Sequence, residues 1–256
     1  MDRPPKNPLR VLIAVAAVVL AAGVYVVLAW NDVVPGGWTL KRWFEPYEEW
    51  EARKQAEHRD RRLAVFAPEN ASAPEGSILF LGSSTIEYFP LKELFPGVPC
   101  LNRGIGNEST TELLGRLSAS LPDARPAGAV LYIASIDFRR RGASPDEVAA
   151  RVWGVARELR ARYLDLPIAV IGLLPERGFT SEMVGRLKTA NERLAELADK
   201  RDLAFVRTAR PPIALPDGTL AEEFSIDSLH LNRAGYFHLA EWLRRDGGAV
   251  GRLLAR

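Results

Sequence analysis

Ser84 lies in Gly82-Ser83-Ser84-Thr85-Ile86, where an apolar run gives way to a helical pattern. A serine hydroxyl becomes a useful nucleophile only when a neighbouring base takes its proton. At a strand-to-helix turn it also lies beside outward-pointing backbone N–H groups, which can stabilise an oxyanion. Serine is equally an ordinary helix cap, so this position alone reads either way. Asp227-Ser228-Leu229-His230 contains a candidate base. Within one turn the aspartate can fix the imidazole tautomer, leaving the other ring nitrogen to accept a proton from a serine. A third segment, Asn102-Arg103-Gly104-Ile105-Gly106-Asn107-Glu108-Ser109-Thr110, carries two glycines that permit a tight turn with exposed amides. Taken singly, each of these has a plain structural reading as a cap, a loop or a turn.

Other chemistries are excluded by what the chain lacks. It has three histidines, His58, His230 and His238, so any histidine-dependent reaction must use one of them. His58 sits among Arg and Glu and reads as solvated; His238 reads as packing or surface. Cys100 is the single cysteine, which rules out an intramolecular disulfide, a CxxC redox pair and a cysteine-rich zinc site. The glycine segment lacks the third glycine of a dinucleotide fingerprint, and there is no P-loop. Glu176 and Asp217 offer no glycosidase-type carboxylate pairing, and ligands for a metal are too few and too scattered. No metal and no cofactor is expected. A net charge of +2 with 26% charged residues gives no concentrated basic face, so no nucleic-acid partner is expected.

The elements that must position these residues alternate along the chain. Ser77–Leu81, Ala129–Ile133, Pro167–Leu174 and, more weakly, Leu203–Val206 are continuous apolar runs. Such runs suit strands buried on both faces of a parallel sheet, and Pro99–Asn102 leads into the glycine turn. Ser144-Pro145-Asp146-Glu147 is a start signal: serine as cap, proline first in the helix, glutamate to close a capping box. That helix is expected to reach about Tyr163. Others are expected over about Ser181–Lys200 and about Arg233–Leu254. Strand–helix alternation implies a three-layer α/β/α sandwich around a doubly wound parallel sheet, with sites at the carboxyl ends of the strands.

Ahead of this domain, residues 11–30 carry no charge and have the length of a bilayer-spanning helix. Arg3, Lys6 and Arg10 precede them, and Tyr25 and Trp30 stand towards the far end. The charge bias places residues 1–10 in the cytoplasm and translocates the remainder. A cleaved signal peptide usually has a shorter apolar region ending in small residues, so an uncleaved anchor is the favoured reading. In a bacterium the chain would then be a single-pass inner-membrane protein with its main domain in the periplasm. Residues 31–74 read as a connector rich in aromatic and charged side chains. Trp38, Trp43, Phe44, Tyr47 and Trp50 suit lipid headgroups or a packed N-terminal helix equally well. The catalytic domain is expected to span 75–256, and the oligomeric state is left open.

In order and spacing, the serine turn, the NRGIG turn near residue 105, a strand–Asp element near 137 and DxxH before LHLNRAGY resemble the SGNH (GDSL-like) hydrolase family. The resemblance runs from about Ser77 to the end. It implies a flavodoxin-like α/β/α fold and a serine esterase with no cofactor. By that resemblance Ser84 is the nucleophile, His230 its base and Asp227 the partner that orients the base. Ser83 stands where the family usually has Asp. The oxyanion donors would be the amides of Ser84 and Asn107, the latter replacing a further glycine. Gly106, Asp137 and Arg139 would lie near bound substrate. Arg139-Arg140-Arg141 would attract an anionic group or form an ordinary solvated face. One departure is clear. Where the family reads G-x-N-D, this chain reads Ala134-Ser135-Ile136-Asp137, and Ile136 cannot donate a hydrogen bond from its side chain. The side chain of Asn107 is the expected substitute donor. The expected substrates are small acyl esters, or lipid or glycan esters. An O-acyltransferase on the same triad and a weakened binding module are the alternatives.

Overall fold

The computed structural model describes residues 8–31, 33–36 and 46–256. Arg3, Lys6, Trp38, Trp43 and Phe44 lie outside the described residues. The chain forms two compact units, 1–57 and 58–256. The second unit thus begins well upstream of the expected residue 75.

In the first unit, helix α1 (Pro8–Trp30) contains an apolar stretch, Leu12–Trp30, of mean hydropathy 2.8. It is long and apolar enough to cross a membrane, a test that anchors and signal sequences both pass. Helix α2 (Tyr47–Ser72) begins in this unit, where the rings of Tyr47 and Trp50 stand 5.8 Å apart, and continues into the second.

The second unit is built on five parallel strands: β1 (Ile78–Gly82), β2 (Cys100–Gly104), β3 (Gly128–Tyr132), β4 (Ile168–Ile171) and β5 (Ala204–Val206). Their order is β2-β1-β3-β4-β5, the doubly wound arrangement in which the connections reverse direction beside β1. The period-two geometry of a strand sends Leu79 and Leu81 into one apolar layer and Ile78 and Phe80 into the other. The first layer is closed by α7 (Pro145–Arg162) and α8 (Ser181–Lys200), through Val148, Val152, Leu159, Leu187 and Leu194. The second is closed by α9 (Arg233–Asp246) and α10 (Gly248–Leu254), through Leu239, Trp242, Leu243, Val250 and Leu254.

Two expectations about helix ends meet different outcomes. Ser144 caps α7 as its sequence implies: its hydroxyl accepts from Glu147 N–H at 3.3 Å, and its own N–H donates to the Glu147 carboxylate at 2.8 Å. The single helix expected over Arg233–Leu254 is instead two. Gly247 ends α9 and Gly248 adopts φ +59°, which turns the chain before α10 begins. Four short helices, α3 (Ser84–Glu87), α4 (Leu91–Leu94), α5 (Thr110–Gly115) and α6 (Ser135–Arg139), are too short to show a period in the sequence.

Candidate active site

The turn around Ser84 is built first. Ser84 opens α3 directly after β1, so its N–H has no acceptor one turn earlier in the chain. Ser83 N–H donates to Tyr132 C=O at 3.2 Å, which ties the turn to the neighbouring strand. Ser83 itself is buried, and its hydroxyl has no partner among the described residues.

The base arrives from the other end of the chain. Asn232 caps α9, accepting from Gly235 N–H at 3.0 Å and donating from Nδ2 to Glu223 C=O at 2.7 Å. Tyr236 then reaches back, its hydroxyl donating to Thr85 C=O at 2.9 Å. The motif Leu229-His230-Leu231-Asn232 therefore has a mechanical role: it docks the start of α9 on the nucleophile turn. His230 is brought to Ser84, with Nε2 at 3.0 Å from the serine Oγ. Nδ1 lies 2.7 Å from Asp227 Oδ2. Asp227 Oδ1 accepts from Leu229 N–H at 2.6 Å and His230 N–H at 2.7 Å. Burial pushes this carboxyl up, but the hydrogen bonds from the His230 ring and the two backbone N–H groups outweigh it and bring it down to about 2. A carboxylate fixed in this way holds the proton on Nδ1 and leaves Nε2 free to accept one from serine.

The glycine turn is pressed against the nucleophile. A Cβ on Gly104 would stand 2.1 Å from Glu87 N, so only glycine admits this approach of β2 to α3. A Cβ on Gly106 would stand 3.6 Å from Ser84 Cβ, which places the turn directly over the serine. Asn107 takes φ +61°, a left-handed conformation that asparagine tolerates better than most residues. Among the described residues neither its N–H nor its side-chain amide is bonded to an acceptor.

Other expected site residues fall differently. Asp137 is fully buried. It accepts from Thr110 N–H at 2.9 Å and from Arg151 at 2.5 Å, pinning the start of α5 to α6 and α7. Ile136 is buried in α6. Arg139 does not stand open as an anion trap, because its Nε lies 2.9 Å from Glu176 Oε1. Glu176 is raised chiefly by burial, opposed by the Arg139 guanidinium, and it feels the charges of His230 and Asp227. Its segment is bonded to the base loop, Arg177 N–H donating to Ser228 C=O at 3.0 Å.

Sequence reasoning missed several residues at the site. Tyr88 meets the His230 ring edge to face at 5.3 Å. Glu87 accepts from Gly106 N–H at 2.6 Å. His58, expected to be solvated, lies 3.0 Å from the same Glu87 oxygen. Arg59 and Arg116 bracket Glu108, which is completely buried, at 2.9 Å and 2.6 Å. These are contacts between distant parts of the chain, and no local pattern signals them. The His238 ring meets Phe224 and Phe237 edge to face and lies tilted against Trp242. Among the described residues no cluster of His, Cys, Asp and Glu suits a metal.

Comparisons with known proteins show the family and the fold. Residues 89–237, more than half of the chain, match the GDSL-like Lipase/Acylhydrolase family. The platelet-activating factor acetylhydrolase IB subunit alpha1 of Bos taurus is 26% identical over 167 residues, covering 63% of this chain and 71% of its own. A solved structure from Streptococcus pneumonia, described as a candidate platelet activating factor, superposes with a TM-score of 0.68 at 25% identity, covering 77% of this chain and 95% of its own. The GDSL-like lipase of Bacteroides thetaiotaomicron superposes with a TM-score of 0.64 at 18% identity, covering 74% and 97%, and shares the fold.

Proposed function

Since this chain belongs to the GDSL-like lipase/acylhydrolase family, we propose that it hydrolyses carboxylic esters through Ser84, His230 and Asp227. The observation that carries this reading is the unbroken series Ser84 Oγ–His230 Nε2 at 3.0 Å and His230 Nδ1–Asp227 Oδ2 at 2.7 Å. Ser84 Oγ attacks the ester carbonyl carbon while His230 takes its proton. The tetrahedral oxyanion is held by the N–H groups of Ser84 and Asn107. His230, stabilised as imidazolium by Asp227, returns the proton to the leaving alcohol. Water activated by His230 then attacks the acyl-enzyme and releases the acid. Asn107 contributes its side-chain amide as the third donor in place of the family's Asn at Ile136. The bovine relative is an acetylhydrolase by name, which supports a short acyl group such as acetyl, carried on an envelope glycan or lipid.

The apolar helix α1 anchors the protein in a bacterial inner membrane, with the hydrolase domain on the extracytoplasmic side. The charge bias in the sequence supports this topology. Ile136 favours one second reading, a catalytically weakened module that binds esters without turning them over.

The test is turnover of p-nitrophenyl acetate and butyrate by wild type, Ser84→Ala and Ile136→Asn. Activity abolished in Ser84→Ala is expected, with Ile136→Asn within about threefold of wild type because Asn107 already supplies the third donor. Wild-type turnover that survives Ser84→Ala would overturn the triad. Activity appearing only in Ile136→Asn would favour the binding module.

A further inference from the structure

Resting on the hydrolase reading above, we infer that the helix upstream of the sheet belongs to the catalytic machinery: His58, acting through Glu87, positions the Gly106–Asn107 turn over Ser84. Both residues are positioning groups, since neither touches the reacting atoms.

Glu87 is the last residue of α3, the short helix that Ser84 opens. Its Oε2 accepts from Gly106 N–H at 2.6 Å, and the same oxygen lies 3.0 Å from His58 Nε2. A carboxylate can only accept, so His58 must carry its proton on Nε2. Both contacts are sheltered, the Glu87 side chain being 12% exposed and that of His58 32%. Arg62, one turn further along α2, extends the clamp. It donates to Gly104 C=O at 3.1 Å and to Asn102 Oδ1 at 3.3 Å. Asn102 in turn donates from Nδ2 to Ile86 C=O at 2.7 Å and Glu87 C=O at 3.1 Å. The nucleophile turn and the oxyanion turn are thus tied to each other and to one external strut.

This geometry has a direct consequence for chemistry. Gly106 N–H is committed to Glu87, so the donor from this turn must be Asn107. The direction of the Asn107 N–H and the left-handed twist of Asn107 depend on where the Gly106 amide is held. Oxyanion stabilisation requires donors within hydrogen-bond distance of a point in space, and displacements of about 1 Å cost about 100-fold in rate. The strut lies upstream of residues 89–237, the segment that matches the family, as Ser84 and Glu87 also do.

The experiment uses the full-length chain in detergent micelles, with p-nitrophenyl acetate as substrate and hydrogen exchange of the Gly106 amide as a second readout. Variants are Glu87→Ala, Glu87→Gln, His58→Ala and His58→Gln, with Arg61→Ala on the exposed side of the same helix as a control. Glu87→Ala is expected to lower kcat by about 10- to 100-fold with KM within about twofold, and to speed Gly106 exchange by at least about 10-fold. Glu87→Gln is expected to stay within about threefold of wild type, because an amide oxygen still accepts from Gly106 N–H. His58→Ala is expected to cost about 3- to 10-fold, His58→Gln to recover most of it, and Arg61→Ala to change nothing. Wild-type kcat in Glu87→Ala, or unchanged Gly106 exchange, would overturn the inference. A wild-type chain with no turnover would sink the hydrolase reading instead. The exchange of Gly106 would then decide alone whether His58 and Glu87 hold the turn.

Discussion

The two halves of the site are held in place by opposite means. The oxyanion half is set in buried charge. Arg103 is fully buried, its guanidinium lies 4.7 Å from the Phe66 ring, and it donates to Glu69, Asn70 and Ser120 C=O. Glu108 is fully buried between Arg59 and Arg116, and Arg116 also donates to Gly82 and Arg103 carbonyls. The acid–base half is set in short local bonds near the surface. The Asp227 side chain is 49% exposed, and each of its bonds lies within the loop 227–230. Buried ionic groups resist displacement because a lone charge left in the interior is costly. A surface loop secured by its own backbone amides can be altered with little loss of fold. The turns around Ser84 and Gly106 are thus built rigidly, and the Asp227–His230 loop is built locally.

Changes on the two sides should separate stability from turnover. The largest loss of turnover belongs to the serine itself, tested above, at about 10⁴-fold or more. Asp227→Asn comes next, with kcat expected to fall by about 10²- to 10⁴-fold while thermal unfolding shifts little. A large drop in unfolding temperature there would break the contrast. Arg116→Met should act in the opposite way. It leaves buried Glu108 with Arg59 as its remaining cation partner and is expected to cost about 3 kcal/mol in urea unfolding. A cost under about 1 kcal/mol would show that the buried network is dispensable.

The dependence on pH sharpens the same point. Asp227 is held below its ordinary value of 3.8, to about 2, by its hydrogen bonds. A depressed carboxyl adds stability above its unfolded value and loses it as pH falls through the folded one. The stability difference between wild type and Asp227→Asn should therefore be constant above about pH 5 and shrink between about pH 4 and 2. A difference that disappears at higher pH would contradict the bonding described. The smallest effect is at Cys100, on the edge strand, where burial raises the thiol to about 12. Alkylation by iodoacetamide at pH 8 should be slow in the native chain and fast in urea.

The contrast also explains what could be read from the sequence. The Asp227–His230 pair is legible because its partners are three residues apart on one turn. The strands are legible because burial on both faces leaves unbroken apolar runs such as Ile78–Leu81. The cap at Ser144 is legible because its partner Glu147 is local. The strut on the oxyanion turn is not. His58 meets Glu87 across 29 residues, and Arg59 meets Glu108 across 49. The basic stretch around residues 58–62 resembles any solvated helix until the fold places carboxylates against it. The contact of Asp137 with Arg151 is not legible either, since Arg151 lies on the next helix.

The most direct measurement is the site of covalent labelling by a fluorophosphonate. Wild type and Ser84→Ala would be reacted, weighed intact by mass spectrometry and digested to map the adduct. One adduct per wild-type chain is expected, on the peptide containing Ser84, and none in Ser84→Ala. An unlabelled wild type, or an adduct on any other residue, would contradict Ser84 as the nucleophile.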